Sequence, residues 1–125
     1  MEFREFEIEE EEGYIRAYVV ENTLESLASA LPNSEVDLSI DKIVEMNFDE
    51  FIYLEEIFIY PEFRRQGFAL KMMTDFLEKM EDEDLPILLI AGGDYTPKDM
   101  DIIKFYEDFG FDILMDIEDK PLMIR

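Results

Sequence analysis

The chain has 125 residues, enough for one domain with a single core, and thirty-three Asp and Glu against eleven Lys and Arg leave a net charge of −22. A 14% aromatic share, with eleven Phe and six Tyr, separates it from a disordered acidic chain. Cysteine and histidine are both absent, which excludes disulfides, thiolate nucleophiles, thiolate or imidazole metal sites, and Ser-His-Asp or Cys-His catalysis, and leaves acid–base chemistry to Glu, Asp, Tyr or Lys.

The opening residues, Met1-Glu2-Phe3-Arg4-Glu5, match neither a signal peptide nor a transit peptide, so a soluble cytoplasmic protein is expected. Phe3, Phe6 and Ile8 alternate among charges, and Tyr14 to Val20 follows the acidic run Glu9 to Glu12 and Gly13; this predicts two strands joined by a turn. Leu24, Leu27, Ala28 and Leu31 lie at helical spacing behind an Asn22 or Thr23 cap, and Pro32-Asn33 ends that helix. Residues 36–46 read as a third strand or, on Ile40, Ile43 and Val44, as a short helix. Phe51 to Tyr60 is rich in aromatic and β-branched residues and predicts a strand closed by Pro61.

From Gly67 to Met80 a stripe of Leu70, Met73, Leu77 and Met80, widened by Ala69, Met72 and Phe76, predicts a well-buried helix. An acidic turn, Glu81 to Asp84, leads through Pro86 into Ile87 to Ala91, a wholly apolar run expected as a central strand covered on both faces. The apolar stretch Leu85 to Gly93 is far too short to span a membrane. Thr96, Pro97 and Asp99 are placed as cap, first helical residue and third position of another helix. Its apolar side is Ile102, Ile103, Phe105, Tyr106 and Phe109, and Gly110 closes it. Two strands, about 111–117 and 121–125, finish the chain. The order predicts one α/β domain over residues 1–125 with a mixed sheet, in which the Glu55 and Ile87 strands are parallel neighbours joined by one crossover helix.

Phe63 to Thr74 is the longest stretch without an acid, and it carries Arg64, Arg65 and Lys71, three of the eleven basic residues. Strand, Pro61, basic pair, Gly67, then helix is an order that points unsatisfied backbone N–H groups and the positive end of the helix dipole at an anion. The alternative is a tight strand-to-helix turn whose arginines pair with neighbouring acids.

Ile59 to Ala69, with Arg64-Arg65-Gln66-Gly67-Phe68-Ala69 at its end, resembles the R/Q-x-x-G-x-G/A signature of the GNAT superfamily of N-acetyltransferases. Phe105-Tyr106-Glu107-Asp108-Phe109-Gly110-Phe111 is similar to that family's second mark, F/L-Y-x-x-x-G-F, and Pro121 to Arg125 resembles its last strand. The resemblance covers about residues 51–125; the first fifty match poorly and lack the usual pair of helices after the first strand. It implies a mixed, mostly antiparallel sheet with a splayed parallel strand pair and flanking helices.

No metal is expected, because acidic clusters such as Asp82-Glu83-Asp84 lack the spacing of a calcium loop. The resemblance also implies acetyl-CoA as co-substrate. By that pattern backbone groups of Ile57, Phe58 and Ile59 bind the pantetheine arm, and the Ile59 N–H polarises the thioester carbonyl. The amides of Arg64, Arg65, Gln66, Gly67, Phe68 and Ala69 hold the pyrophosphate. Tyr53-Leu54-Glu55-Glu56 resembles the strand of polyamine and aminoglycoside acetyltransferases, in which a Glu at the position of Glu55 serves as base or routes the proton through water. In a regular strand Glu56 points to the opposite face, and a bulge would exchange the two. Tyr106 stands where the family protonates the departing thiolate; a phenol near pKa 10 facing a thiol near 8.5 makes that transfer uphill by roughly 2 kcal/mol, so a hydrogen bond to sulfur is expected instead. Asp99 replaces the Asn that often contacts the cofactor arm, and an ionised carboxylate cannot donate as an amide does.

The acidic field disfavours nucleic acid and membranes and favours a cationic amine acceptor: a polyamine, an aminocyclitol, or a lysine or N-terminus of a basic protein. A homodimer is compatible with the sequence. The competing expectation is an acidic interaction protein, such as a nucleic-acid mimic, on the same scaffold, with or without CoA binding.

Overall fold

A computed structural model describes residues 4–31, 41–91, 101–117 and 120–125. The N-terminal alternation forms a hairpin of β1 (Arg4–Glu10) and β2 (Gly13–Glu21), paired antiparallel from Arg4 opposite Val19 to Glu10 opposite Gly13. Helix α1 (Leu24–Ala30) starts at Thr23, whose hydroxyl accepts from the Ser26 N–H at 3.2 Å. Of the two readings for residues 36–46, residues 41–44 are helical, with Ile43 buried; residues 36–40 lie outside the described residues.

Strand β3 (Glu50–Ile59) leads through a 3₁₀ turn, Pro61–Phe63, to α2 (Phe68–Met80) and then β4 (Ile87–Ile90). Helix α3 (Ile102–Glu107) precedes β5 (Asp112–Ile117) and β6 (Lys120–Ile124). The strands form one sheet in the order β1-β2-β3-β4-β6-β5, in which β3 and β4 are parallel and every other pair antiparallel. The α/β class with a mixed sheet and flanking helices is therefore the observed one.

Apolar layers lie on both faces of the sheet. On one, Ile15, Ala17, Ile52, Leu54, Ile87 and Leu89 pack with Met72, Met73, Phe76 and Leu77 of α2 and with Tyr106 of α3. On the other, Val20, Phe51, Tyr53, Leu88 and Leu122 pack with Leu27 of α1. Strand β4 contributes to both layers, as its uninterrupted apolar run requires. The stripe read on α2 needs one correction: Leu70 is 58% exposed. Burial begins at Met72 and Met73 and continues through Phe76, Leu77 and Met80, whereas Leu70 shares their stripe but sits in the first turn, ahead of the buried stretch.

Candidate active site

Two features of β3 set the site apart from an ordinary strand. Its parallel pairing with β4 is confined to Ile52 opposite Ile87 and Tyr53 opposite Leu88, anchored by the Ile52 N–H donating to the Pro86 carbonyl at 2.8 Å. Beyond Tyr53, β3 runs on through Ile59 without a further registered β4 partner among the described residues, while Leu89 and Ile90 pair with β6. The segment that carries Ile57, Phe58 and Ile59 is therefore held on its β2 side and released on its β4 side. This is the splay expected of a strand pair that admits a slender ligand.

The second feature is a bulge. Glu56 lies opposite Arg16 but Leu54 lies opposite Ala17, so Glu55 is an extra residue in β3. In a regular strand Glu55 and Glu56 would point to opposite faces. The inserted residue instead brings both acids beside the β2 residues Tyr14, Arg16 and Tyr18. Glu56 accepts from the Tyr14 hydroxyl at 3.0 Å and lies 3.9 Å from the Arg16 guanidinium. Glu55 is exposed and hydrogen-bonds Tyr18. Burial first, and then the neighbouring carboxylate, raises the pKa of each phenol: Glu56 acts on Tyr14 and Glu55 on Tyr18.

At the C-terminal end of β3 the loop reverses through two left-handed residues, Arg65 at φ +64° and Gly67 at φ +85°. Lys71 N–H to the Gly67 carbonyl at 3.1 Å is the first bond of α2, so the amides of Phe68, Ala69 and Leu70 precede the helical ladder. A Cβ placed on Gly67 would meet nothing within 4 Å. The glycine is thus needed for its backbone conformation, and the space beside it is open to a ligand. Arg64 is already engaged: its Nε donates to the Ile59 carbonyl at 2.9 Å, and its guanidinium lies 5.2 Å from the centre of the Phe58 ring. Gln66 donates to the Glu62 carbonyl at 3.0 Å. With Arg64 Nε and Gln66 turned onto their own loop, the N–H groups at the start of α2 and the exposed side chains of Arg65 and Lys71 border the open space at Gly67.

Tyr106 is buried in the α2–α3 layer against Phe105 and Phe111, with ring centres 5.3 and 5.8 Å away. Burial pushes its pKa up to about 12. Helix α3 begins at Ile102 and is capped by Asp101, which accepts from the Lys104 N–H at 3.0 Å. The start expected at Thr96, Pro97 and Asp99 lies outside the described residues, and with it the cofactor role expected of Asp99. Tyr14, Arg16 and Tyr18 were not singled out from the sequence. The signal was their period-two spacing, which puts all three on one face of β2.

A separate open cavity of about 660 Å³ lies near the N-terminal ends of β3 and β4, lined in part by Asn22, Phe48, Glu50, Asp84 and Pro86. It is at the opposite end of β3 from the loop, and none of the expected site residues lines it. Among the described residues there is no cluster of side chains able to hold a metal, and no helix long and apolar enough to cross a membrane.

The model of the acetyltransferase (GNAT) family matches residues 3–111. The chain belongs to this family. The match includes the N-terminal half, which the motif resemblance over 51–125 did not reach. The GNAT fold is also shared with solved structures. The anti-CRISPR protein AcrVA5 superposes with a TM-score of 0.58 at 18% identity, covering 98% of each chain. An N-acetyltransferase from Staphylococcus aureus Mu50 superposes with a TM-score of 0.54 at 21% identity, covering 94% of this chain and 66% of that one. A search of curated protein sequences returns no match. GNAT proteins use acetyl-CoA, and the released edge of β3, the open space at Gly67 and the unladdered amides of α2 fit that molecule's thin arm and its pyrophosphate.

Proposed function

We propose that this GNAT protein transfers an acetyl group from acetyl-CoA to a primary amine on a cationic acceptor, by direct attack within a ternary complex. The observation that carries the reading is the β3 bulge, which places Glu55 exposed beside the segment where β4 leaves the strand. Bound there, acetyl-CoA supplies the activated acyl group. Ile57, Phe58 and Ile59 offer backbone groups to its arm, with the Ile59 N–H assigned to the carbonyl oxygen, where losing such a donor would cost about 3–4 kcal/mol. The amides from Arg65 to Ala69 are assigned to the pyrophosphate; that of Arg64, expected to join them, already donates to the Pro61 carbonyl at 3.4 Å.

Glu55 is assigned as the base. An ammonium near pKa 10 must lose its proton before the amine can attack, and no histidine is available. Each acid meets one phenol, but Glu56 is half-buried and also faces the Arg16 guanidinium, whereas Glu55 is exposed, which makes Glu56 the less suited of the two. Tyr106 is assigned to hydrogen-bond the departing sulfur. The test is CoA release from acetyl-CoA across polyamines, aminoglycosides and basic peptides, together with calorimetry on Gly67→Glu. Acetyl-CoA binding that survives this substitution unchanged would sink the loop assignment.

A second reading is favoured by the charge of −22: an acidic partner-binding protein on the GNAT scaffold. The likeness to an anti-CRISPR protein over the full chain is compatible with it. Salt-sensitive capture of a basic protein together with no CoA binding would select this reading over the enzyme.

A further inference from the structure

The bulge delivers Glu55 and Glu56 onto a sheet face whose other residues have not yet been given a role. On β2 this face carries Tyr14, Arg16 and Tyr18, and the register places Glu9, Glu7 and Glu5 of β1 directly opposite them. All three β1 acids are exposed. At one end the face is apolar and packed with α1 through Val20, Leu27, Phe51 and Tyr53. At the other end Tyr14, Phe58 and Tyr60 form a half-buried aromatic cluster, with ring centres 5.6, 6.4 and 5.9 Å apart. The chain's own cations already stack there: Arg16 lies 4.6 Å from the Tyr14 ring centre and Arg64 lies 5.2 Å from that of Phe58. These two intramolecular stacks occupy the Tyr14 and Phe58 rings, so the cluster offers an incoming chain its remaining half-buried aromatic surface.

We infer that this three-strand face docks a lysine- and arginine-rich polypeptide segment, and that the acetylated amine is a lysine within it. The inference rests on the acetyltransferase reading and deepens it, because the docking face and the assigned base Glu55 are continuous. Charge complementarity selects a cationic occupant. Spacing selects a polypeptide. Alternate residues of β1 are about 7 Å apart, which is also the repeat of alternate side chains in an extended peptide. Two further strands at about 4.8 Å each widen the face beyond a single linear chain of amines. The aromatic cluster offers apolar surface to the methylene stems that lysine and arginine carry beneath their charges.

The alternative role for Glu5, Glu7 and Glu9 is to keep an edge strand soluble, and a charge-matched comparison separates the two. The face variant is Glu5→Gln, Glu7→Gln, Glu9→Gln. The control is Glu78→Gln, Glu81→Gln, Asp82→Asn, three exposed acids at and just beyond the end of α2, which packs on the opposite side of the sheet. Binding of a fluorescent Lys/Arg-rich peptide to the full chain is read by anisotropy, alongside the unfolding midpoint of each variant. Roughly tenfold weaker binding is expected for the face variant and less than about twofold for the control. The single variant Glu7→Gln should move in the same direction by a smaller factor, should the triple variant fold poorly.

In turnover the peptide KM should rise with the face variant while kcat stays fixed and the spermidine KM rises by no more than it does with the control variant. Equal weakening by the control would reduce the effect to the general acidic field and overturn the proposal. A spermidine KM that rises as much as that of the peptide would overturn it in favour of a small polyamine. Absence of acetyl transfer to every acceptor would refute the enzyme reading alone, since the anisotropy series judges the docking face without turnover.

Discussion

Glu55 and Glu56 are identical in chemistry and adjacent in sequence, so their partners must decide which one is able to take a proton. Glu56 accepts from the Tyr14 hydroxyl at 3.0 Å and lies 3.9 Å from the Arg16 guanidinium, so two groups already hold its oxygens. Glu55 is exposed, with Tyr18 as its neighbour. Glu55→Gln should therefore lower kcat about 10²–10⁴-fold in steady-state assays while calorimetric acetyl-CoA affinity stays the same. Glu56→Gln should act mainly by freeing Tyr14, with a smaller loss. Equal losses from the two substitutions would mean that the acids work as a pair.

Tyr106 poses the opposite problem, since burial makes it a worse acid. With its pKa pushed up to about 12 against about 8.5 for a thiol, full transfer is uphill by roughly 5 kcal/mol, and a hydrogen bond to sulfur is the role its environment permits. The same shift makes a stability prediction whose sign follows from proton counting. The phenol stays protonated in the folded chain up to about pH 12, whereas in the unfolded chain it ionises near pH 10. Its contribution is fully present below pH 10 and is lost as pH rises from 10 through 12, about 3 kcal/mol in all. Denaturant titrations should show this alkaline decline less steeply in Tyr106→Phe. Tyr14 and Tyr18 are shifted in the same direction, so the difference between the two proteins is the informative quantity.

At the scale of elements, β3 works because it is fixed on one side and free on the other. Its fixed side depends on Gly13: a Cβ there would stand 2.1 Å from the Phe58 carbonyl oxygen. Gly13→Ala should destabilise the protein by about 2–4 kcal/mol through this clash. It should also weaken acetyl-CoA binding, because β3 must move at the segment assigned to the pantetheine arm. A variant with wild-type affinity and a normal unfolding midpoint would show that β2 can yield without moving β3.

The elements themselves were legible from periodicity: the hairpin, α1, β3, α2, β4 and the last two strands fall where apolar spacing and Gly or Pro punctuation put them. The bulge was not, because an inserted residue leaves the local composition of a strand unchanged and shows only in the register with Arg16 and Ala17. Leu70 keeps the spacing of the buried stripe yet is exposed in the first turn of α2, because periodicity gives the face of a helix and not how far along it the packing extends. The cofactor side carried a glycine with a special φ and an acid-free island. The proposed acceptor side is built of Glu and Tyr, which in so acidic a chain do not stand out.

For the molecule as a whole, a charge of −22 would act on the two proposed substrates with opposite sign. A cationic acceptor is drawn in by the field, whereas the phosphates of acetyl-CoA are repelled by it except along Phe63 to Thr74, where no acid stands. Salt screens both effects, the Debye length falling from about 10 Å at 0.1 M to about 3 Å at 1 M. Raising ionic strength should therefore increase the KM for a cationic acceptor and decrease the KM for acetyl-CoA, while kcat, set by groups already in contact, changes little. Initial-rate measurements with each substrate varied in turn would read both trends. If the two constants rose together, the acid-free loop would be a dominant salt-sensitive anchor for the phosphates, stronger than the surrounding repulsion. If neither moved, the long-range field would play no part in substrate capture, leaving the acids near Glu55 to act only at contact distance.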